Sequence, residues 1–222
     1  MGDYQILSHQ QARKYYSSAV AKQDQQSHYE DPPIEWLLQA GRFDHAENIV
    51  EFGCGTGRLA QKMLMDVLPS TATYIGFDIS APMVELSKQR VQKFGSRSRV
   101  VRTDGETQFE LSNNSCDRFL STYVLDLLST TDIASLLAEA HRILKPNGLL
   151  CLAGLTHGFT LKTKIAMGLW SLAHRVRPTL VGGCRPLRLA KFIDSQQWNH
   201  FKIETFTAGG IPSEAIIVEK TN

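Results

Sequence analysis

The run Ile49-Val50-Glu51-Phe52-Gly53-Cys54-Gly55-Thr56-Gly57-Arg58-Leu59 decides how this chain reads. Residues of strand character lead into glycines at 53, 55 and 57. From Arg58 the apolar positions Leu59, Met63, Leu64 and Val67 then recur at the spacing of a helix face. Glycine reaches backbone dihedrals closed to other residues and lets a ligand approach the main chain. The turn lies at the carboxyl end of a strand, where open α/β sheets place their ligands. The amides at the start of the following helix favour a negative group such as a carboxylate.

The same alternation continues outward. Tyr74-Ile75-Gly76-Phe77 ends at Asp78, and a helix is expected from Ser80 as N-cap, with Pro82 in its first turn. Arg99-Val100-Val101-Arg102 ends near Asp104, and Phe119-Leu120-Ser121-Thr122 follows Cys116-Asp117. Thr131 is placed to cap a helix through Leu136, Leu137 and Ala140 to Leu144. Lys145-Pro146-Asn147-Gly148 reads as a turn and Leu149 to Ala153 as a buried strand. Residues 8–24 and 33–41 are helix-compatible, with Pro32-Pro33 separating them. Near the end, Phe201 to Phe206 and Glu214 to Glu219 read as a hairpin around Ala208-Gly209-Gly210. Strands separated by helical patterns of this length imply crossover connections and a parallel sheet.

Asp78 closes the strand after the glycine turn, where a carboxylate takes hydrogen bonds from ribose hydroxyls. The pair describes a nucleoside-containing ligand. A nicotinamide fold uses G-x-G-x-x-G, whereas this loop is G-x-G-x-G. With Glu51 ahead of it, the loop resembles motif I of class I S-adenosylmethionine-dependent methyltransferases. Further resemblances follow in order. Tyr74 to Ser80 looks like the acidic ribose loop, Pro82-Met83 the helix after it, and Thr103-Asp104-Gly105-Glu106 the adenine loop. Asp117 to Tyr123 resembles the fourth strand, and Leu144 to Leu149 the turn before the fifth.

The resemblance implies an α/β fold: a Rossmann-like, doubly wound seven-stranded sheet, mostly parallel with an antiparallel C-terminal edge hairpin. It implies one domain over 1–222, with an N-terminal helical cap (1–45), a cofactor-binding core (46–155), a variable acceptor-side insertion (156–198) and a closing hairpin (199–222). The cofactor would be S-adenosylmethionine. Gly53, Gly55 and Gly57 would surround its methionine moiety, with Cys54 a small loop residue and Glu51 ordering the loop or a water to the amino group. Asp78 would hold the ribose, with Ile79 and Met83 against the adenine, Asp104 accepting from the exocyclic amine and the Gly105 amide donating to the ring. Ser121, Thr122 and Tyr123 would lie nearest the sulfonium, and Tyr16 (or Tyr15) would close over the cofactor. His157, after the fifth strand, is the candidate base.

Composition narrows the rest. The four cysteines are scattered and form no C-x-x-C pair, and the histidines show no metal-ligand spacing. No metal is expected, and a reducing cytoplasm is. Met1 to Gln5 has neither a basic stretch nor an apolar run, and Gly2 is only loosely like a myristoylation site. The longest apolar runs fall far short of the ~20 residues that cross a bilayer. Asp31-Pro32-Pro33-Ile34 looks like the box of nucleic-acid amino-methylating enzymes but precedes the first strand, and Ser121-Thr122-Tyr123-Val124 stands where that box belongs. A small-molecule acceptor is therefore expected rather than a nucleic acid.

The net charge of +2 hides a split. Residues 1–139 carry 13 basic and 18 acidic side chains, residues 140–222 carry 11 and 4, and no acid occurs between Glu139 and Asp194. In the basic part, Leu161, Ile165, Leu169, Leu172 and Val176 recur at helical spacing, with Lys162, Lys164, His174 and Arg175 mostly off that line. A helix packed on the sheet with a solvated basic face is expected there, and another helix near Leu187 to Gln196. The basic surplus favours an anionic or amphiphilic acceptor, held by Arg177, Arg185 or Arg188, or peripheral contact with an anionic membrane where a lipid or quinone is methylated.

Overall fold

A computed structural model describes residues 6–221. Met1 to Gln5, and with them Gly2, lie outside the described residues.

The strands β1 (Asn48–Phe52), β2 (Thr73–Asp78), β3 (Ser98–Arg102), β4 (Cys116–Thr122), β5 (Leu144–Leu155), β6 (Trp198–Ala208) and β7 (Ile211–Lys220) form one sheet in the order β3-β2-β1-β4-β5-β7-β6. The first five are parallel; β7 runs antiparallel to β5 and β6. The order reverses beside β1, so the glycine turn after β1 opens at the crevice between β1 and β4.

Strand residues alternate between two cores, as the period of two requires. Ile49, Leu120, Cys151, Ala215 and Ile217 face the layer of α2 (Ser27–Ala40), α3 (Arg58–Lys62) and α4 (Ala81–Val91). Val50, Phe119, Leu150, Ile216 and Val218 face α5 (Thr130–Ile143) and Trp198. The N-terminal α1 (His9–Gln23) lies along α4, and α6 (Leu161–Val176) follows β5.

Several local expectations change. Pro32 and Pro33 lie inside α2 instead of separating two helices. Helix α5 is capped by Ser129, whose hydroxyl accepts from the Asp132 amide, and not by Thr131. Ser80 occupies the N-cap position of α4, but its hydroxyl faces Ser17 at 3.3 Å. Strand β5 begins at Leu144, so the Lys145 to Gly148 turn is absorbed into it. Near 187–196 only one short turn forms, Leu189–Phe192. Helix α6 forms as expected, yet its apolar line faces solvent and Thr163, Met167 and His174 are the buried side.

Candidate functional site

The glycine turn is tied to its neighbour strand: the amides of Gly53 and Cys54 both donate to the Phe77 carbonyl, at 2.8 and 3.0 Å. Gly53, Gly55 and Gly57 have φ of +79°, +51° and +77°. A Cβ on Gly53 would run into Val124, and one on Gly57 into Ser87, whereas nothing lies near Gly55. Gly55 is thus a bare stretch of main chain facing open space.

Asp78 ends β2 and binds the turn from below. Its Oδ2 accepts from the Gly55 amide at 2.9 Å and its Oδ1 from the Ser80 amide at 2.8 Å. Burial pushes this carboxyl above its ordinary value, and those amides oppose the push. Glu51 is fully buried beneath the turn, accepts from the Tyr74 hydroxyl at 2.5 Å, and is pushed up by burial to about 7.

One cavity opens over these groups. Tyr16, Glu51, Gly53, Cys54, Gly55, Asp78, Ile79, Met83, Gly105 and Tyr123 all line it. Four other candidates do not. Gly57 is the N-cap of α3 behind the turn. Ser121 is buried, and its hydroxyl donates to the Phe52 carbonyl at 2.9 Å. The exposed Asp104 carboxylate pairs with Arg13 at 2.7 Å. His157 stands exposed beyond β5.

Residues 49–148 match the family model described as a methyltransferase domain. These residues are similar to that domain, which supports a class I S-adenosylmethionine-dependent methyltransferase. An uncharacterized methyltransferase of Anoxybacillus flavithermus is 28% identical over 134 residues, covering 60% of this chain and 58% of that relative. A demethylmenaquinone methyltransferase of Lactiplantibacillus plantarum is 32% identical over 107 residues, covering 47% of this chain and 44% of its own. The match thus spans about half the length of these relatives. Among solved structures, the cyclase SpnF superposes with a TM-score of 0.72 at 13% identity over 100% of this chain and 99% of its own, a likeness of fold alone.

The residues present fit the methyltransferase cofactor. Bare main chain at Gly55, a carboxylate at the end of β2, and apolar walls at Ile79 and Met83 are the residues that would hold its amino acid, ribose and base.

Beyond these residues, the cavity has a second region that sequence reasoning missed, lined by Tyr29, Ile34, Leu127, Leu128, Leu155 and Cys184 together with Glu30. The rings of Tyr29 and Tyr123 meet edge to face, 5.6 Å apart. Tyr123 holds a left-handed φ of +56°, and its hydroxyl lies 2.9 Å from that of Ser213. Glu30 is buried; its Oε1 has no hydrogen-bond partner and its Oε2 lies 3.9 Å from the Arg58 guanidinium. Burial pushes Glu30 to about 7, opposed by Arg58. Arg58 itself pairs with Asp31 at 2.7 Å.

The charges expected to hold an anionic acceptor lie elsewhere. Arg177, Arg185 and Arg188 do not line the cavity, and the buried Arg185 guanidinium donates to the Asp126 and Leu128 carbonyls. At the rim, Asp24 accepts from Thr56 and from Arg90, each at 2.6 Å, clamping the segment after α1 to the glycine turn and α4. Nothing in the local sequence flags Glu30 or Asp24, because only tertiary packing brings them to the cavity.

Proposed function

We propose that this chain transfers the methyl group of S-adenosylmethionine to a small-molecule acceptor seated between Tyr29, Tyr123 and Glu30. One observation carries the reading: a single cavity joins the glycine turn and Asp78 to an apolar, aromatic region holding a buried carboxyl whose Oε1 has no hydrogen-bond partner. The cofactor supplies an electrophilic methyl carbon on a sulfonium. The protein's own work is to hold, orient and exclude water, which makes the approach of the acceptor effectively intramolecular.

The lining carboxyls, Asp24, Glu30, Glu51 and Asp78, outnumber its single guanidinium, Arg58, which is already paired with Asp31. Such a cavity suits a neutral or cationic acceptor with an apolar body. Where the acceptor carries a proton, Glu30 takes it at a carboxylate oxygen, which frees the acceptor's lone pair for the methyl group the cofactor would supply. A side chain poised near 7 is matched to that task.

The test is a screen of fractionated metabolites with the cofactor labelled in its methyl group. Label should pass to a low-molecular-weight neutral or cationic compound. In Glu30→Gln, turnover should fall while cofactor affinity is kept. Label found only in polymer, or in an anionic compound at unchanged rate in Glu30→Gln, contradicts the reading.

A further inference from the structure

Helix α6 presents its most apolar face to water. At ~100° per residue, Leu161, Ile165, Leu169, Leu172 and Val176 fall within an arc of about 80°. They are 58 to 76% exposed. Thr163, Met167 and His174 lie diametrically opposite and are buried. The inner side is anchored: the Trp170 indole donates to the Cys184 carbonyl at 2.9 Å, and the His174 imidazole lies 3.1 Å from the Gly183 carbonyl. The outward stripe is therefore held in place by the fold. Phe159 before the helix and Leu180 after it, 48 and 63% exposed, prolong it.

Basic side chains rim the stripe, Lys162 along one edge and Lys164 and Arg175 along the other, all exposed, with Arg177 at the end. No acid stands among them in the chain, since none occurs between Glu139 and Asp194. Two copies packed stripe to stripe would set lysine against lysine without a counter-charge. An anionic lipid surface answers both features: its acyl boundary takes the aliphatic side chains, and its headgroups pair with the basic rim.

We propose that this chain docks on anionic membranes through α6, lying in the plane of the surface. The inference goes beyond methyl transfer and is read without it, so either can fail alone. The experiment is co-sedimentation of the full chain with vesicles of mixed phosphatidylglycerol and phosphatidylcholine, against phosphatidylcholine alone, at low and high salt. Light scattering without lipid runs alongside. The chain should bind the anionic vesicles, weaken with salt, and stay monomeric. Leu169→Glu/Leu172→Glu, at positions already in water, should lose binding by about tenfold or more. Lys162→Gln/Lys164→Gln/Arg175→Gln should do the same, at roughly fivefold per charge. Absence of binding to anionic vesicles overturns the proposal, as does binding unchanged in both variants. So does a stable dimer without lipid that Leu169→Glu/Leu172→Glu dissolves.

Discussion

The hydroxyl of Tyr123 lies 3.3 Å from the main-chain carbonyl of Tyr29. The helix cannot supply that carbonyl with either its three- or four-residue donor, because Pro32 and Pro33 have no N–H. A side chain at the end of β4 thus completes a helix in the α2 layer and fixes both aromatic walls of the cavity. Tyr123→Phe should cost about 1–2 kcal/mol in urea unfolding, since it strips a buried carbonyl and the Ser213 hydroxyl of a partner. In Pro33→Ala the restored amide serves the Tyr29 carbonyl, so the same Tyr123→Phe change should cost less there. Equal costs in the two backgrounds would show that the bond does not matter.

Buried carboxyls set the pH dependence of stability. Burial pushes Glu30, Glu51 and Asp126 each to about 7. The native state then holds more protons than the unfolded chain between the ordinary carboxylate range and 7, so stability is full at the acid end and falls as pH rises through about 7. Asp24 and Glu139 act oppositely. Despite burial, bonds from Arg90 and Thr56 hold Asp24 low, bonds from Arg142 and the Phe109 amide hold Glu139 low, and their contributions vanish only as acid protonates them. Urea midpoints near pH 5 should exceed those near pH 8.

Glu30→Gln separates stability from activity. Near pH 8 it should stabilise the fold by about 2–3 kcal/mol, because it removes a charge held in an apolar site. It should at the same time depress turnover. A variant that is both less stable and unchanged in rate would remove Glu30 from the site.

The glycines of the turn should respond unequally to alanine. Gly53→Ala meets Val124 and Gly57→Ala meets Ser87, both at left-handed φ, so each should destabilise the fold by more than about 2 kcal/mol. Gly55→Ala has open space above it and should cost only about 1 kcal/mol for its φ. It should nonetheless weaken cofactor binding, because the added methyl stands in the cavity. Thermal unfolding and cofactor titration of the three variants check the order.

The sheet was legible because its information is local. Ile49 and Val50, or Leu120 and Phe119, alternate between two cores, and the turns between strands carry glycine and aspartate at fixed places. What the sequence concealed depends on which surface an element meets. The repeat of Leu161, Ile165 and Leu169 defines an apolar face of α6 but says nothing about where that face points. Pro32-Pro33 reads as a break until Tyr123 is brought to the orphaned carbonyl. Glu30 sits in an unremarkable acidic stretch, and only the packing of α2 on β5, β6 and β7 makes it a buried group whose Oε1 has no hydrogen-bond partner in the cavity.

Asp78 joins the glycine turn to the end of β2, so the central claim is tested most directly by calorimetric titration of S-adenosylhomocysteine into the wild-type chain and into Asp78→Ala, with NAD as control. The account predicts one-to-one binding of the thioether, none of NAD, and a loss of about 1.5–3 kcal/mol in Asp78→Ala. Binding of NAD without the thioether, or an affinity for the thioether that Asp78→Ala leaves unchanged, would contradict it.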